Sequence, residues 1–255
     1  MGEKFSLVSE VGIYHDSEEE GFVCTRLLFE SNDHYYVCDT PDRSAATLQL
    51  PQLFASSVQV PVAVYRARIP TDFEVTEADS ESQGSCYIKR VRPFDYDAET
   101  DSNTTLYADA QLRELKVLEL LKKHPHPNIC RYYGYLPTAD GQYVGGICLQ
   151  RLECTLQEAM ERGDHFPATF LEPIGAALEH LHSLGYAHND INPRNVMLSK
   201  AGEPVLVDFD SAVQLGDKLE KGKTPEWEYE GEISSTSNDL SALHQLCQYL
   251  AKGMV

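Results

Sequence analysis

At 255 residues the chain is long enough for one large domain, or for two lobes with a proper core. A formal net charge of −19 argues against a nucleic-acid backbone or an anionic membrane as the main partner, and the excess acid reads as a solvating surface. The seven cysteines include no C-x-x-C pair, so neither a zinc site nor a disulfide framework is suggested and a reducing compartment, cytoplasmic or nuclear, is expected.

No apolar run is long enough to span a bilayer, and no signal-peptide core is present. Met1-Gly2-Glu3-Lys4-Phe5-Ser6 matches a loose myristoylation pattern, but the acidic run from Asp16 to Glu20 opposes anionic lipid and the match is set aside. Gly21 to Glu30 and His34 to Cys38 are rich in β-formers and flank Ser31-Asn32-Asp33. This predicts a hairpin within an extra N-terminal β-rich segment, residues 1–59. Val60 to Ile69 predicts another strand. Thr71 to Ser85 is acidic and poor in apolar residues, and reads as a surface loop. Ser85 to Val91 alternates as a strand should and carries Lys89, in a position where a lysine is ordinarily a solvated face residue.

Leu112, Leu115, Leu118 and Leu121 recur at helical spacing and predict a helix over Leu106 to Lys123, stopped by Pro125 and Pro127. Cys130 to Leu136 and Tyr143 to Gln150 read as paired strands around a turn at Thr138-Ala139-Asp140-Gly141. Thr155 with Glu158 three residues on has the spacing of a capping box, opening a helix to Glu161. Phe170, Ile174, Ala177, Leu178 and Leu181 stripe a long helix over Ala168 to Ser183, bent at Pro173 and stopped by Gly185. A loop with Asp190 and Asn195 follows. Two short strands come next, separated by Ala201-Gly202-Glu203-Pro204, the second ending in Asp208. Asp190, Asn195 and Asp208 would converge at one hairpin end. Such oxygen ligands suit a hard cation such as Mg²⁺, which takes one or two carboxylates and otherwise phosphate and water. Ser237-Asn238-Asp239-Leu240 opens a last helix carrying Leu243, Leu246 and Leu250, with Asp239 an N-cap candidate.

His188-Asn189-Asp190 with Asn195, followed by Asp208-Phe209-Asp210, resembles the H-R-D-x-x-x-x-N loop and D-F-G motif of the eukaryotic protein-kinase-like family. Tyr87-Ile88-Lys89 resembles its V-A-I-K strand, and Arg66 is a weaker competitor for that lysine. The helix carrying Glu114, ahead of His126-Pro127-Asn128-Ile129, resembles the αC helix and its H-P-N-I turn, with Glu119 as runner-up to Glu114. Ala177 to Gly185 resembles the helix before the catalytic loop. Gly222-Lys223-Thr224-Pro225-Glu226-Trp227 resembles the G-T-P-E-Y segment, and Asp239 the buried aspartate of the αF helix.

The resemblance implies an α+β, two-lobed fold: a β-rich N-lobe with one main helix over 60–150 and a shortened helical C-lobe over 151–255, close to fungal kinase-like proteins. It implies ATP and Mg²⁺ as cofactors and a protein Ser or Thr hydroxyl as acceptor. Lys89, positioned by Glu114, would orient the phosphates. Leu149 would sit at the back of the adenine pocket and Leu152 would offer it backbone groups. Asn195 and Asp208 would hold the metal, Asp190 would be the catalytic base, and His188 and Asp239 would be structural supports. His182 reads as structural too. The helices that normally complete the C-lobe do not follow Asp239, which leaves room for a partner covering that lobe.

Three departures from the pattern matter. No G-x-G-x-x-G loop precedes Lys89, so phosphate-covering backbone amides must come from elsewhere or be absent. Asn192 stands where Ser/Thr kinases carry a lysine, a loss on the order of a hundredfold in rate. Asn189 replaces the arginine before the catalytic aspartate. Two other readings stay open: a pseudokinase or interaction module, and a small-molecule phosphotransferase of the aminoglycoside- or choline-kinase type. With no arginine at position 189 to receive a phosphate, activity is expected to be independent of activation-segment phosphorylation. Ser211→Asp and Thr224→Asp variants should therefore match the wild type in a phosphoryl-transfer assay, and activation by either would contradict the reading.

Overall fold

The computed structural model describes residues 4–14, 21–44, 49–94, 96–97, 104–219, 227 and 232–252. The Gly2 acylation motif, the acidic run Asp16 to Glu20 and the Gly222 to Glu226 stretch thus fall partly or wholly outside the described residues. The chain forms two units, Met1–Arg68 with Val91–Asp109, and Ile69–Arg90 with Ala110–Val255. The expected cuts after residues 59 and 150 do not coincide with these units. Val60, Val64, Tyr65 and Tyr96 pack with Leu28, Tyr35 and Val37 into one core, which ties residues 60–68 and the 91–109 stretch to the N-terminal strands.

In the first unit, β1 (Ser6–Tyr14), β2 (Phe22–Ser31), β3 (His34–Thr40) and, after α1 (Leu50–Ser56), β4 (Val58–Gln59) form an antiparallel sheet in sequential order. Neighbouring residues on a strand face opposite sides of the sheet. The apolar run Leu27-Leu28-Phe29 is buried throughout because both faces are covered: Leu28 enters the core just named, while Leu27 and Phe29 pack with Phe5 and Phe54. Asn32 and Asp33, at φ 50° and 64°, make the two-residue hairpin turn expected there. Val60 to Ile69 is not the expected strand. Pro61 precedes a single helical turn, α2 (Val62–Tyr65), and the Arg66 guanidinium forks onto the Asp33 carboxylate at 2.7 and 2.9 Å. Arg66 is thereby committed within this unit.

In the second unit Thr71 to Ser85 is largely exposed, as expected, but it is pinned: Ala78 N–H donates to Tyr135 O at 2.9 Å and Tyr135 N–H donates to Thr76 O at 2.8 Å. The backbone N–H and hydroxyl of Thr76 both donate to the Glu119 carboxylate, which also accepts from the Tyr132 hydroxyl. Hydrogen bonds hold most of this segment, with Ala78 its one buried apolar residue, so its polar composition gave no sign of order. At Gly134 (φ 151°) a Cβ would come 2.5 Å from Ala78 N, so glycine permits the close approach. Asp79 then caps α3 (Ser80–Ser85) by accepting from Ser82 N–H at 2.7 Å.

β5 (Tyr87–Lys89) is followed by α4 (Leu106–Lys123), which has the expected bounds and buries Leu115, Leu118 and Leu121. β6 (Tyr132–Pro137) and β7 (Val144–Leu149) complete an antiparallel sheet with β7 between β5 and β6. β8 (Cys154–Thr155) leads into α5 (Leu156–Glu161), whose capping box between Thr155 and Glu158 is formed in both directions. Ala168–Leu171 is a 3₁₀ turn and α6 (Glu172–Ser183) begins after it, so Pro173 lies in the first turn, where its missing N–H costs nothing, and does not bend the helix. β9 (Tyr186–Ala187), β10 (Val196–Leu198), β11 (Pro204–Leu206) and β12 (Val213–Gln214) follow; β10 pairs with both β11 and β8, and β9 pairs with β12. The second hairpin strand ends at Leu206, two residues earlier than expected. α7 (Thr236–Lys252) starts before Asp239, so Asp239 lies in its first turn and is not its N-cap. Among the described residues, no helix is long and apolar enough to cross a membrane.

Candidate active site

Lys89 sits at the end of β5 and Glu114 on α4. The Lys89 ammonium lies 2.8 Å from each Glu114 oxygen and 2.7 Å from Asp208 Oδ1. Glu114, not the runner-up Glu119, therefore meets the lysine, while Glu119 is spent on Thr76 and Tyr132. Burial alone would depress the Lys89 ammonium, but Glu114, Asp208 and Asp210 together outweigh it, and its pKa is raised. Burial pushes the Glu114 carboxyl up to about 7 against the pull of Lys89. The ion pair thus stands with Lys89 firmly charged, and Glu114 is the member that takes up a proton on acidification. Because folding raises this carboxyl's pKa even with Lys89 beside it, stability falls as pH rises from the ordinary carboxylate range to about 7.

Lys89 and Asp208 face a cleft of about 390 Å³ that also presents Leu149, Leu152 and Asn195. Five residues singled out from the sequence thus share one cavity. Apolar side chains (Leu149, Leu152, Met197, Val207) line it beside a polar group formed by Lys89, Asn195 and Asp208. Met197 and Val207 were not singled out; Met197 lies on β10 just after Asn195 and Val207 just before Asp208, and that adjacency to the two motifs was the available signal. Glu114 does not line the cleft and reaches it through Lys89.

The loop from His188 to Asn195 is held from beneath by one carboxylate. Asp239 is fully buried; its Oδ1 accepts from Asn189 N–H at 2.7 Å and its Oδ2 from His188 N–H at 2.8 Å. His182 Nε2 lies 2.8 Å from the same Oδ2. His188 Nε2 faces Val207 O at 2.9 Å, so that nitrogen carries the hydrogen, and the ring lies 5.2 Å from that of Phe209. Asp190 is gripped on both oxygens: Asn192 Nδ2 donates to Oδ1 at 3.1 Å and Asn195 Nδ2 to Oδ2 at 2.9 Å.

Sequence reasoning treated Asn189 only as a lost arginine. It is buried at φ 61°, donates to Ala187 O and Ser234 Oγ at 2.9 and 3.0 Å, and accepts from Asn238 Nδ2 at 3.0 Å. An uncharged network therefore joins the loop to the start of α7. Removing the Asp239 carboxylate would leave two buried backbone N–H groups without acceptors, at about 1–3 kcal/mol each. Asp239→Ala should lower unfolding stability by about 3 kcal/mol in denaturant titration. A change within about 0.5 kcal/mol would contradict the bracing role.

The model of the protein kinase domain family matches residues 75–231, more than half of the chain. The chain is 26% identical to serine/threonine-protein kinase 1 of Arabidopsis thaliana over 208 residues, covering 74% of this chain and 25% of that protein. It is 29% identical to Aurora kinase A-A of Xenopus laevis over 147 residues, 53% of this chain and 34% of that protein. With the serine/threonine-protein kinase/endoribonuclease IRE1 of Hypocrea jecorina it shares 31% identity over 129 residues, 45% of this chain and 10% of that protein. The aligned stretch spans about a third or less of each of these curated relatives. By the extent of the family match, and with Lys89, Glu114, Asp190, Asn195 and Asp208 inside it, the chain belongs to the protein kinase domain family.

Proposed function

We propose that the cleft binds ATP with a divalent cation, Mg²⁺ by preference, and transfers the γ-phosphoryl group to a protein Ser or Thr hydroxyl. The observation that carries this reading is the Lys89 ammonium held between Glu114 and Asp208 in a cavity that also presents Asn195, Leu149 and Leu152.

The residues fit the groups they would hold. Asn195 spends its amide nitrogen on Asp190, which leaves its carbonyl oxygen as a metal ligand beside the Asp208 carboxylate. One carboxylate and one amide oxygen make no complete cage. Among the described residues no group of three His, Cys, Asp or Glu side chains could hold a metal alone. That suits an ion which keeps waters and completes its shell with phosphate oxygens. When bound, the cation supplies charge neutralisation at the β- and γ-phosphates.

The remaining chemistry is the chain's own. Leu149 and Leu152 take the adenine by apolar contact and backbone groups. Lys89, fixed by Glu114, contacts the α- and β-phosphates. Asp190, held by Asn192 and Asn195, orients the acceptor hydroxyl and takes its proton as the hydroxyl oxygen bonds to the γ-phosphorus. The bond from that phosphorus to the β-bridging oxygen breaks, giving ADP and a phosphoester. Positioning and charge stabilisation are most of what this reaction asks of a protein. The kinase relatives support a protein acceptor over a small hydroxylated molecule.

The test is label transfer from γ-labelled ATP to a generic protein acceptor, wild type beside Asp190→Asn. Wild type should label the acceptor; Asp190→Asn should bind nucleotide as tightly and lose labelling by a factor on the order of a hundred or more. Nucleotide binding without turnover in the wild type would overturn catalysis and leave the interaction-module reading in its place.

A further inference from the structure

The seven cysteines include no C-x-x-C pair, yet folding brings two of them together as free thiols. Cys86 Sγ lies 2.7 Å from Cys148 Sγ, although the two residues are 62 apart in sequence. The sheet explains the meeting. Ile88 faces Cys148 across the β5–β7 pair, and Cys86, two residues earlier and in extended conformation, points to the same side as Ile88. Both thiols are buried, in an apolar cluster with Ala78, Ile88, Tyr133 and Leu136. Among the described residues no group of three His, Cys, Asp or Glu side chains could hold a metal, so the pair is not part of a zinc centre.

A disulfide is about 2.05 Å long, and small side-chain rotations would close the remaining gap. The cover over the pair is thin. α3 buries none of its own residues, is capped at its start by Asp79, and ends next to Cys86. Local opening of such an exposed segment takes far less free energy than global unfolding. Cys86 is therefore the thiol an oxidant meets first, while Cys148 stays on the central strand β7. Burial, and then the neighbouring Cys86 thiol, hold the pKa of Cys148 above its ordinary value, which suits Cys148 to the second step rather than the first.

We propose that Cys86 and Cys148 are a modification site at which a peroxide forms a reversible disulfide within the chain. The Cys86 thiolate attacks a peroxide oxygen, the O–O bond breaks, and the departing hydroxide takes up the proton given by the Cys86 thiol and leaves as water. The Cys148 sulfur then attacks the sulfur of the Cys86 sulfenic acid. The S–O bond breaks, and that hydroxide leaves as a second water with the proton of the Cys148 thiol. Two thiols are oxidised and one peroxide is reduced. The residue after each cysteine, Tyr87 and Leu149, lines the cleft described above, so the bond would brace the cleft wall from behind. The proposal does not depend on what that cleft binds.

The experiment exposes the reduced full chain to hydrogen peroxide, for wild type, Cys86→Ser and Cys148→Ser. It reads intact mass, free thiols, peptide maps without reductant, and melting temperature. Wild type should become two hydrogens lighter, lose two of its seven free thiols and yield a linked Cys86–Cys148 peptide. Its melting temperature should rise by about 5–10 °C, because a bond across so long a loop restricts the unfolded chain, and dithiothreitol should reverse every change. Neither variant should form the link, and Cys148→Ser should instead accumulate a sulfenic acid on Cys86. A wild type that resists peroxide, gains oxygen on Cys86 without a link, links other cysteines or two chains, or melts lower once linked would overturn the proposal. These readouts involve no nucleotide, so their failure leaves the phosphoryl-transfer reading untouched.

Discussion

The Lys89 ammonium is the charge around which the second unit is assembled. Three parts of the chain, distant in sequence, must converge for it to be satisfied: β5 brings the lysine, α4 brings Glu114, and the end of the second hairpin brings Asp208. Burying a carboxylate such as Glu114 is costly, as its raised pKa shows, and it is sustained only because the lysine sits 2.8 Å from both of its oxygens. The helix position, the strand register and the hairpin exit are therefore coupled. Displacing β5 or α4 would part the buried Glu114 from its counter-charge, and displacing the hairpin exit would take one of its two carboxylates from Lys89.

A second constraint works from below. Asp239 holds two consecutive backbone N–H groups of the His188–Asn195 loop, and Asn189 ties the same loop to the start of α7 through neutral hydrogen bonds. A charged residue at position 189 would need a counter-ion to be buried there. An asparagine completes the same junction with donors and acceptors already present. Neutral buried networks of this kind are stabilising only when every member is satisfied.

Much of this was legible in the sequence, and the reasons for the misses are physical. α4 was readable to its ends because Leu115, Leu118 and Leu121 repeat at helical spacing and prolines follow. The capping box at Thr155 was readable because both of its partners are local. The convergence of Lys89, Asn195 and Asp208 on one cleft came from motif resemblance rather than periodicity, since no local rule brings β5 next to the hairpin. The errors share one cause. The pinning of Thr71 to Ser85 was missed and Val60 to Ile69 was misjudged because distant partners, Glu119 and Tyr135 in one case and Asp33 and Tyr35 in the other, decide their structure. Asp239 has the composition of an N-cap, yet its carboxylate is claimed by a loop some fifty residues upstream.

The account stands or falls on whether the Lys89 cluster serves a nucleotide. The direct measurement is calorimetric titration of Mg-ATP into wild type and Lys89→Met, with thermal unfolding recorded on both to establish that each is folded. The account predicts that wild type binds and that a folded Lys89→Met binds at least about tenfold more weakly. Equal affinity in two folded proteins would contradict it, leaving the buried Lys89–Glu114–Asp208 cluster a structural ion-pair network with no part in binding phosphate.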